Sequence, residues 1–545
     1  MYTQGKSGPL MDDTLMNTLR FALPCKLTSW FILAILLAVT AVTAEPTILH
    51  RGSANELRSL DPQYVIGNTA GALMYDLFEG LVTVNERGIL VPGAAESWEI
   101  SEDGLKYVFR LREGLRWSDG EPLTAEDFAY SFRRIVDPKN ALRGAGTIFP
   151  INNAVAISRG EKPATELGVR TIDPLTLEFT LEFAAPFFLD MLAGFPQAAV
   201  PRHVIEKHGS QWTKPGTMIV SGAYTMVEWI PNTHYKLVKN PYYRMVDQVQ
   251  IDEVYYHPVV DKESAVKRFR AGELDIVLDV PPNRLEWAQE NMADQLKVSS
   301  APGIRYLIVN TNQPYLQDIR VRKALSISIN REIITSKILR DGSIPVTNLV
   351  PAAVSVYGPN PTPYADQPYE QRIAEAKKLL KEAGYGRDNP LEIRVSFLPQ
   401  ENFRRVVVAL QAMWRSIGVD ADLQTVGKQG RNKMHLSGDF DLSIFTYYAP
   451  FSDPTAFLLL LEPNSFRNYS NYNNPRFAAM LDKTSNFTDE TKRMAFIKET
   501  EQFALSEHPV IPLFIPGRTF LVSTRTKGWY DHTEPHMARH LSVAD

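Results

Sequence analysis

The sequence predicts a mixed α/β fold built from several domains, and three observations lead to this prediction. The chain has 545 residues, which is too long for one hydrophobic core and suggests roughly three domains. Residues 93–138 follow the order strand, turn, strand, turn, helix. Residues 391–426 alternate strand, helix and strand, the βαβ rhythm of helices packed on a sheet.

The best-specified local unit is the segment 93–138. The dipeptide Asp103-Gly104 predicts a tight turn, because glycine tolerates the positive φ that a reversal needs. The period-2 alternation typical of a half-buried strand follows in Leu105, Tyr107, Phe109 and Leu111. Thr124 is a good N-cap for the next helix, which Asp137-Pro138 ends.

The other elements of the first 301 residues follow similar signals. We expect a strand from Thr47, a helix that begins near Asn68 and ends at Gly80, and two strands joined by a turn at Asp173-Pro174. Further strands are predicted at 235–239, 249–257 and 295–299, and helices at 201–207 and 262–271.

A second unit is predicted to start near residue 302. Its first helix runs from Asp318 to Leu339, with a break and a new cap at Asn330. Strands are predicted at 304–310, 391–397, 419–426, 440–448 and 510–516, and further helices at 370–383, 402–417, 456–461, 477–486 and 490–506.

The first 44 residues predict export. Arg20 and Lys26 precede a short apolar run at 30–42, and small residues follow it, so we expect a secretory signal peptide cleaved after Ala44. The alternative is an uncleaved anchor helix, although the run is short for a bilayer span. The only cysteine, Cys25, lies in this segment. The exported chain then has no thiol, which excludes disulfides, cysteine nucleophiles and thiolate metal sites and fits the periplasm.

Composition and motifs narrow the function classes. The formal net charge of −4 argues against a general nucleic-acid partner. The sequence has no phosphate-binding G-x-x-x-x-G-K-[ST] loop, no G-x-S-x-G elbow and no H-E-x-x-H motif. Ser264 and Lys267 fit the S-x-x-K motif of penicillin-binding enzymes, but its companion motifs K-T-G and S-D-N are missing. For His532, His536 and His540 we favour a surface or strand-edge role over a metal site. We therefore expect no cofactor, no metal and no catalytic residue.

The run from AESW through LREGLRWSDGEPLTAEDF to FRRIVDP resembles a segment of the periplasmic solute-binding proteins of family 5, the oligopeptide, dipeptide and nickel class. Similar matches are SLDP at 59–62, DLFEGLV at 76–82 and GELDI at 272–276, and the resemblance extends from about 47 to 530. It implies a two-lobed periplasmic-binding-protein fold of class II type, with an inserted domain and a ligand cleft between the lobes. The implied division is a signal peptide at 1–44, lobe I at 45–67, 196–301 and 517–545, domain II at 68–195, and lobe III at 302–516.

The resemblance also implies a set of ligand-binding residues. These are Glu56, Trp229, Tyr306, Arg404, His435, Tyr447, Tyr448, Ala449 and Asp453. Aromatic walls supply a large apolar contact at low conformational cost. The alternatives remain open: Glu56 as a solvated carboxylate at a strand edge, the aromatic residues as core, and Asp453 as the cap of an Asp-Pro-Thr helix.

This chain departs from the family at charged positions. Pro450 stands where oligopeptide binders carry an aspartate that pairs with the ligand's α-ammonium, and Ile444 corresponds to a basic residue of the family. A histidine that reads the ligand's carboxylate in some members is replaced by Phe403. Other possible anion partners are Arg404, Arg405, Lys428, Arg431 and His435. An unpaired buried ammonium costs several kcal/mol, so either Glu56 alone pairs with the ligand's ammonium or the ligand differs. We expect a peptide-like ligand, such as a modified, acylated or cell-wall-derived peptide, and not a generic free tripeptide.

The function implied by the resemblance is passive capture. Two lobes close about a hinge on a peptide or peptide-like solute, and the protein, expected to be a monomer, delivers it to an inner-membrane ABC permease with cytoplasmic ATPase subunits. Two alternatives stay open. One is a binder of a nickel or metal chelate, or of another non-peptide solute, in the same family. The other is a secreted serine hydrolase, for which the sequence offers no recognisable nucleophile constellation.

Overall fold

A computed structural model describes residues 45–53, 56–57, 59–65, 71–142, 144–300, 303–352, 354, 357–386, 388–449, 451–463, 465, 467–487, 489–530 and 536–544. The predicted signal peptide, Pro450 and His532 lie outside these residues. All elements below belong to the unit Thr47–Asp545. Among the described residues, no helix is both long enough and apolar enough to cross a bilayer.

The described part of the chain mixes strands and helices throughout, as predicted. The strands are β1 (Ile48–Ser53), β2 (Val82–Val84), β3 (Leu90–Pro92), β4 (Ala95–Ile100), β5 (Lys106–Leu111), β6 (Val169–Asp173), β7 (Thr176–Thr180), β8 (Tyr224–Ile230), β9 (His234–Lys239), β10 (Glu253–Pro258), β11 (Ile276–Leu278), β12 (Leu296–Ser300), β13 (Gly303–Val309), β14 (Ile344–Pro345), β15 (Leu391–Phe397), β16 (Val419–Thr425), β17 (Leu442–Tyr448), β18 (Val510–Ile515), β19 (Gly517–Val522), β20 (Thr526–Lys527) and β21 (Ser542–Val543). The α-helices of at least one full turn are α1 (Gly71–Leu77), α2 (Ala125–Val136), α3 (Ala154–Ser158), α4 (Phe188–Leu192), α5 (Arg202–His208), α6 (Lys262–Arg270), α7 (Pro282–Asn291), α8 (Ile319–Ile327), α9 (Tyr369–Glu382), α10 (Glu401–Arg415), α11 (Lys428–Ser437), α12 (Thr455–Leu458), α13 (Pro475–Lys483) and α14 (Glu490–Ser506).

The first large sheet has seven strands in the order β12-β19-β11-β1-β10-β9-β8. β1 runs parallel to both β10 and β11, whereas β19 and β9 are antiparallel to their neighbours. Strand alternation places Leu49 and Val254 in a buried core on one face, and His50 and Tyr255 on the other. This sheet is assembled from segments far apart in the sequence.

The second large sheet has six strands in the order β14-β18-β13-β17-β15-β16. β15, β16 and β17 are mutually parallel, and α10 connects β15 to β16 as the predicted βαβ unit. Trp414 of α10 is fully buried and donates its Nε1–H to the carbonyl of Leu325 at 3.0 Å. This hydrogen bond joins α10 to α8, the helix that contains Leu325.

A four-stranded sheet, β4-β5-β7-β6, lies in the segment where strand, turn and helix were predicted. Tyr107 and Phe109 are buried on one face of β5, as their alternation predicts. At the start of α2 the Asp127 carboxylate accepts from the Thr124 backbone N–H at 2.8 Å and from its hydroxyl at 3.1 Å, so the predicted cap is confirmed. This unit contacts the chain around the second sheet through Phe187, whose ring stacks on Phe451 at 4.5 Å.

Two chain connections join the first and second sheets, and residues 301–302 of one connection lie outside the described residues. β12 leads into β13, and β18 leads into β19, while Ser300 pairs with Gly517 and Arg305 pairs with Phe514. A Cβ atom on Gly517 would collide with the backbone of the turn at Asp341, so only glycine fits this crossing. A paired two-strand connection of this kind is a natural hinge.

Several predicted bounds are confirmed and others are corrected. α14 has the predicted bounds, and Asn330 caps a new turn through its side chain, which accepts from the Ile333 N–H at 3.0 Å. The described part of the helix predicted from Asn68 starts at Gly71 and already ends at Leu77, because a two-stranded ribbon follows. Helices α7 and α11 were not predicted, since each buries too few apolar side chains to show a 3.6-residue period.

Candidate ligand-binding site

The carboxyl ends of parallel strands are the expected ligand position in open α/β sheets. In the second sheet this edge holds the ends of β15, β16 and β17 and the start of the antiparallel β13, where Gly303 pairs with Tyr448. In the first sheet it holds the ends of β1, β10, β11 and β12 and the start of β19. Because the chain crosses between the sheets from these edges, both edges adjoin the paired connection.

At the edge of the first sheet the structure brings Glu56 and Trp229 together. The Trp229 Nε1–H donates to Glu56 Oε1 at 3.0 Å, and the Asn232 backbone N–H donates to Oε2 at 2.9 Å. The Lys214 ammonium lies 4.7 Å from the centre of the Trp229 ring, whose other neighbour is Tyr235 at 5.4 Å. The Glu56 carboxylate is thus oriented by two donors, and each oxygen keeps a lone pair for a further donor.

Tyr306 and Tyr447 are buried in the second sheet, with 2% and 7% of their surface exposed. The Tyr447 hydroxyl donates to the Ala456 carbonyl at 3.0 Å and accepts from Arg467 at 3.2 Å. Burial raises the pKa of the Tyr306 hydroxyl. Both rings contribute to the core behind the edge.

Tyr448 and Ala449 lie at the end of β17 itself. Tyr448 is 41% exposed, and Ala449 is partly buried against the core. A Cβ on Gly303 would approach the Tyr448 ring to 2.5 Å, so the ring covers the start of β13. Tyr448 therefore offers an exposed aromatic face beside the connection.

His435 is buried on α11, behind the same sheet. Its Nε2 lies 2.9 Å from the Ser443 hydroxyl, and its ring is 4.6 Å from the ring of Tyr469. Burial, with the nearby Arg431 guanidinium, lowers the pKa of His435 to about 4, so the imidazole is neutral at pH 7. It can exchange hydrogen bonds but does not supply a positive charge.

Asp453 and Arg404 occupy different surroundings. The buried Asp453 carboxylate accepts from Arg493 at 2.7 and 3.1 Å and from the N–H of Thr455, the first residue of α12, at 2.9 Å. Arg404 is exposed on α10 and lines a cavity of about 510 Å³ with Phe397 and Thr425 at the end of the edge strand β16. The structure does not bring these two residues into contact with Glu56 or Trp229.

One residue at the second-sheet edge was missed by the sequence prediction. Arg305 is only 7% exposed, and its guanidinium carbon lies 4.1 Å from the centre of the Phe403 ring and 5.5 Å from that of Phe514. Its Nε–H donates to the Thr446 hydroxyl at 2.8 Å. The available signal was a single charged residue inside an otherwise apolar strand.

Motifs for other chemistry find no support in their surroundings. The Ser264 N–H donates to Asp261 at 2.7 Å as part of the cap of α6. His536, predicted at the surface or a strand edge, is instead buried, because its ring stacks on Trp529 at 3.7 Å. Within the described residues no group of three or more His, Cys, Asp or Glu side chains is arranged to hold a metal ion.

The family model of bacterial extracellular solute-binding proteins, family 5, matches residues 90–468. The chain belongs to this family. It is 36% identical to the probable deoxycholate-binding periplasmic protein of Escherichia coli K12, over 84% of this chain and 85% of that protein. It is 34% identical to the periplasmic oligopeptide-binding protein OppA of the same strain, over 89% and 90% of the two chains.

A third family 5 relative has both a matching sequence and a solved structure. The periplasmic murein peptide-binding protein MppA of E. coli K12 is 33% identical over 90% of this chain and 91% of its own. Its unliganded open form superposes with a TM-score of 0.80 over 92% of this chain and 98% of that chain, at 32% identity. The predicted periplasmic-binding-protein fold is therefore confirmed, and solute binding, not catalysis, is the family's function.

Proposed function

We propose that this chain is the periplasmic substrate-binding component of an ABC importer, which captures a peptide or peptide-like solute and passes it on chemically unchanged. Three things support this proposal: the match to the family model, the oligopeptide and murein-peptide binding for which the relatives are named, and the strand crossings that adjoin the carboxyl edges of both sheets. The connection is the observation that carries it. Closure about these two strands would bring the edges together over a solute.

Within this proposal, lobe I is 45–67, 196–301 and 517–545, domain II is 68–195, and lobe III is 302–516. The signal peptide is removed after Ala44, and the monomeric product meets its permease at the membrane. The solute contacts Glu56, Trp229, Tyr448 and Ala449. The buried layer behind these residues contains Tyr306, Tyr447, His435 and Asp453, and Arg404 lies at the margin of the site. Because Glu56 is the oriented acid at this edge, it is our candidate partner for a ligand ammonium.

A peptide would be bound mainly through its backbone, whose hydrogen-bonding groups are the same in every sequence. Micromolar binding requires about 8 kcal/mol. Several backbone hydrogen bonds, one paired terminus and the exclusion of water over Trp229 and Tyr448 are of the right size to provide it. Selection among peptides then depends on their termini more than on their side chains.

A second candidate ligand is a carboxylate-bearing solute that is not a peptide, as the name of the probable deoxycholate-binding relative suggests. The observation that favours it is the buried cation Arg305 at the second-sheet edge, beside aromatic rings. Such a solute needs a cation and an apolar wall but no partner for an ammonium.

The deciding experiment is to denature the purified exported chain and identify the released small molecules by mass spectrometry, followed by calorimetric titration. The panel contains murein tripeptide, an acylated tripeptide, plain Lys-Ala-Lys and deoxycholate. Binding of a modified or cell-wall peptide, recovered unaltered, supports the main proposal. Tight binding of Lys-Ala-Lys contradicts the expected selectivity, and recovery of a chemically altered ligand contradicts passive capture.

A further inference from the structure

Arg305 differs from the other buried arginines in what its guanidinium contacts. Each of the others touches a carbonyl or carboxylate oxygen through a terminal nitrogen. These comparison residues are Arg51, Arg322, Arg331, Arg372, Arg493 and Arg539. The hydrogen bond of Arg305 is instead made by Nε to the neutral Thr446 hydroxyl, and no ion pair with a described carboxylate accompanies it.

The surroundings of Arg305 stabilise a cation only weakly. Phe403 and Phe514 present ring faces to the guanidinium, and ring quadrupoles attract a cation less strongly than an anion does. Loss of hydration is the main reason that the pKa of Arg305 falls to about 10, yet the group remains charged at pH 7. Asp341 acts on it through space without forming an ion pair.

The position of Arg305 connects this charge to the proposed site. It lies two residues after Gly303, at the start of β13, and its side chain shares a sheet face with Thr446 and Tyr448. Gly303 carries no side chain, and the partly exposed ring of Tyr448 covers the backbone there. Arg305 therefore lies on the sheet face that Tyr448 also occupies, two residues from the edge where a solute would enter.

We propose that Arg305 binds a carboxylate of the ligand, and that the ligand places apolar surface on the adjacent Tyr448 ring. This inference rests on the proposed solute-binding function and specifies its ligand as an amphipathic anion. A guanidinium pairs with a carboxylate through two parallel hydrogen bonds, which would engage the two terminal nitrogens. The carboxylate could belong to a peptide C-terminus or to a non-peptide acid.

The binding test uses the full exported chain, Arg305→Met, and Arg110→Met as a matched control on an exposed arginine of β5. Two probe pairs separate the sources: N-acetyl-trialanine against its C-terminal amide, and deoxycholate against its methyl ester. For the probe pair that binds, we expect the neutral analogue and Arg305→Met each to weaken binding at least about thirtyfold. The two losses should not add, because both remove the same contact. Equal binding of a charged probe by Arg305→Met and the unaltered chain overturns the inference.

A second measurement does not depend on which ligand is correct. If Arg305 is held for a ligand, Arg305→Met should unfold at an equal or higher temperature than the ligand-free protein, because it removes an uncompensated buried charge. A lower unfolding temperature would mean that the guanidinium supports the fold, and would overturn the inference. If no probe binds the unaltered chain, the proposed ligand class fails, while the unfolding temperature still decides the role of Arg305.

Discussion

Replacing Arg493 by methionine tests whether the Asp453 carboxylate is free to meet a ligand. The two side chains have 2% and 7% of their surface exposed, and their hydrogen bonds are 2.7 and 3.1 Å long. Removing the cation leaves a buried carboxylate whose remaining partners, among the described residues, are the Thr455 N–H and hydroxyl. We expect Arg493→Met to lower the free energy of unfolding by about 3–5 kcal/mol, the range for breaking one side of a buried pair.

The assay is urea unfolding at pH 7, followed by fluorescence. Arg202→Met is the matched control, because Arg202 forms a 2.7 Å pair with Glu206 at an exposed site, with 50% and 58% of the side chains accessible. Its expected cost is below about 1 kcal/mol. Adding Asp453→Asn to Arg493→Met should recover part of the loss, because no uncompensated charge then remains. A cost for Arg493→Met no larger than the control would refute this account and leave Asp453 available to a ligand ammonium.

Three further predictions concern titration and the hinge. Burial, with the charge of Asp453, raises the pKa of Asp190 to about 6, so its contribution to stability is present below pH 4 and is lost as the pH rises through 6. The free energy of unfolding of Asp190→Asn should be about 1–3 kcal/mol higher than that of the unaltered chain at pH 8, and its decline between pH 4 and pH 8 should disappear. An unchanged decline in Asp190→Asn would contradict the assignment. The pKa of His435 is lowered to about 4, so its contribution to stability is present above pH 6.5 and is lost as the pH falls through 4. The unfolding temperature of His435→Gln should therefore change less between pH 6.5 and pH 4 than that of the unaltered chain. An equally steep change in the variant would show that other groups cause the pH dependence. Gly517→Val should lower the unfolding temperature by several degrees, because its Cβ would meet the backbone of Asp341, and calorimetry showing no change would mean that the hinge tolerates a side chain.

Local structure was predictable where a single segment carries the whole signal. The cap formed by Thr124 and Asp127, the alternation along β5, and the βαβ unit around α10 depend on residues close in sequence. The helices α7 and α11 escaped prediction because neither carries an apolar stripe: α7 buries Leu285 and Ala288, and α11 buries His435. Short-range patterns therefore identified elements but not every element.

The candidate site was predictable only in part. The resemblance pointed to Glu56 and Trp229, and their 3.0 Å hydrogen bond joins residues 173 positions apart. No sequence pattern could show that Asp453 forms an ion pair with Arg493, because the pair depends on how the start of α12 packs against α14. In the sequence Arg305 is one charged residue in a strand; that no carboxylate among the described residues forms an ion pair with it depends on which side chains surround it in the fold.

The sequence by itself determined the fold class, the family and most strands and helices, because periodicity, caps and turns act over a few residues. Only the tertiary structure decided which charges are compensated. Thr446, Phe403 and Phe514 reach Arg305 from three separate stretches of chain, and the electrostatic energy of a buried group depends on everything within a few ångströms of it. The arrangement in space therefore distinguishes a buried arginine that has an anionic or carbonyl partner from Arg305, which has a hydroxyl and two aromatic rings as neighbours.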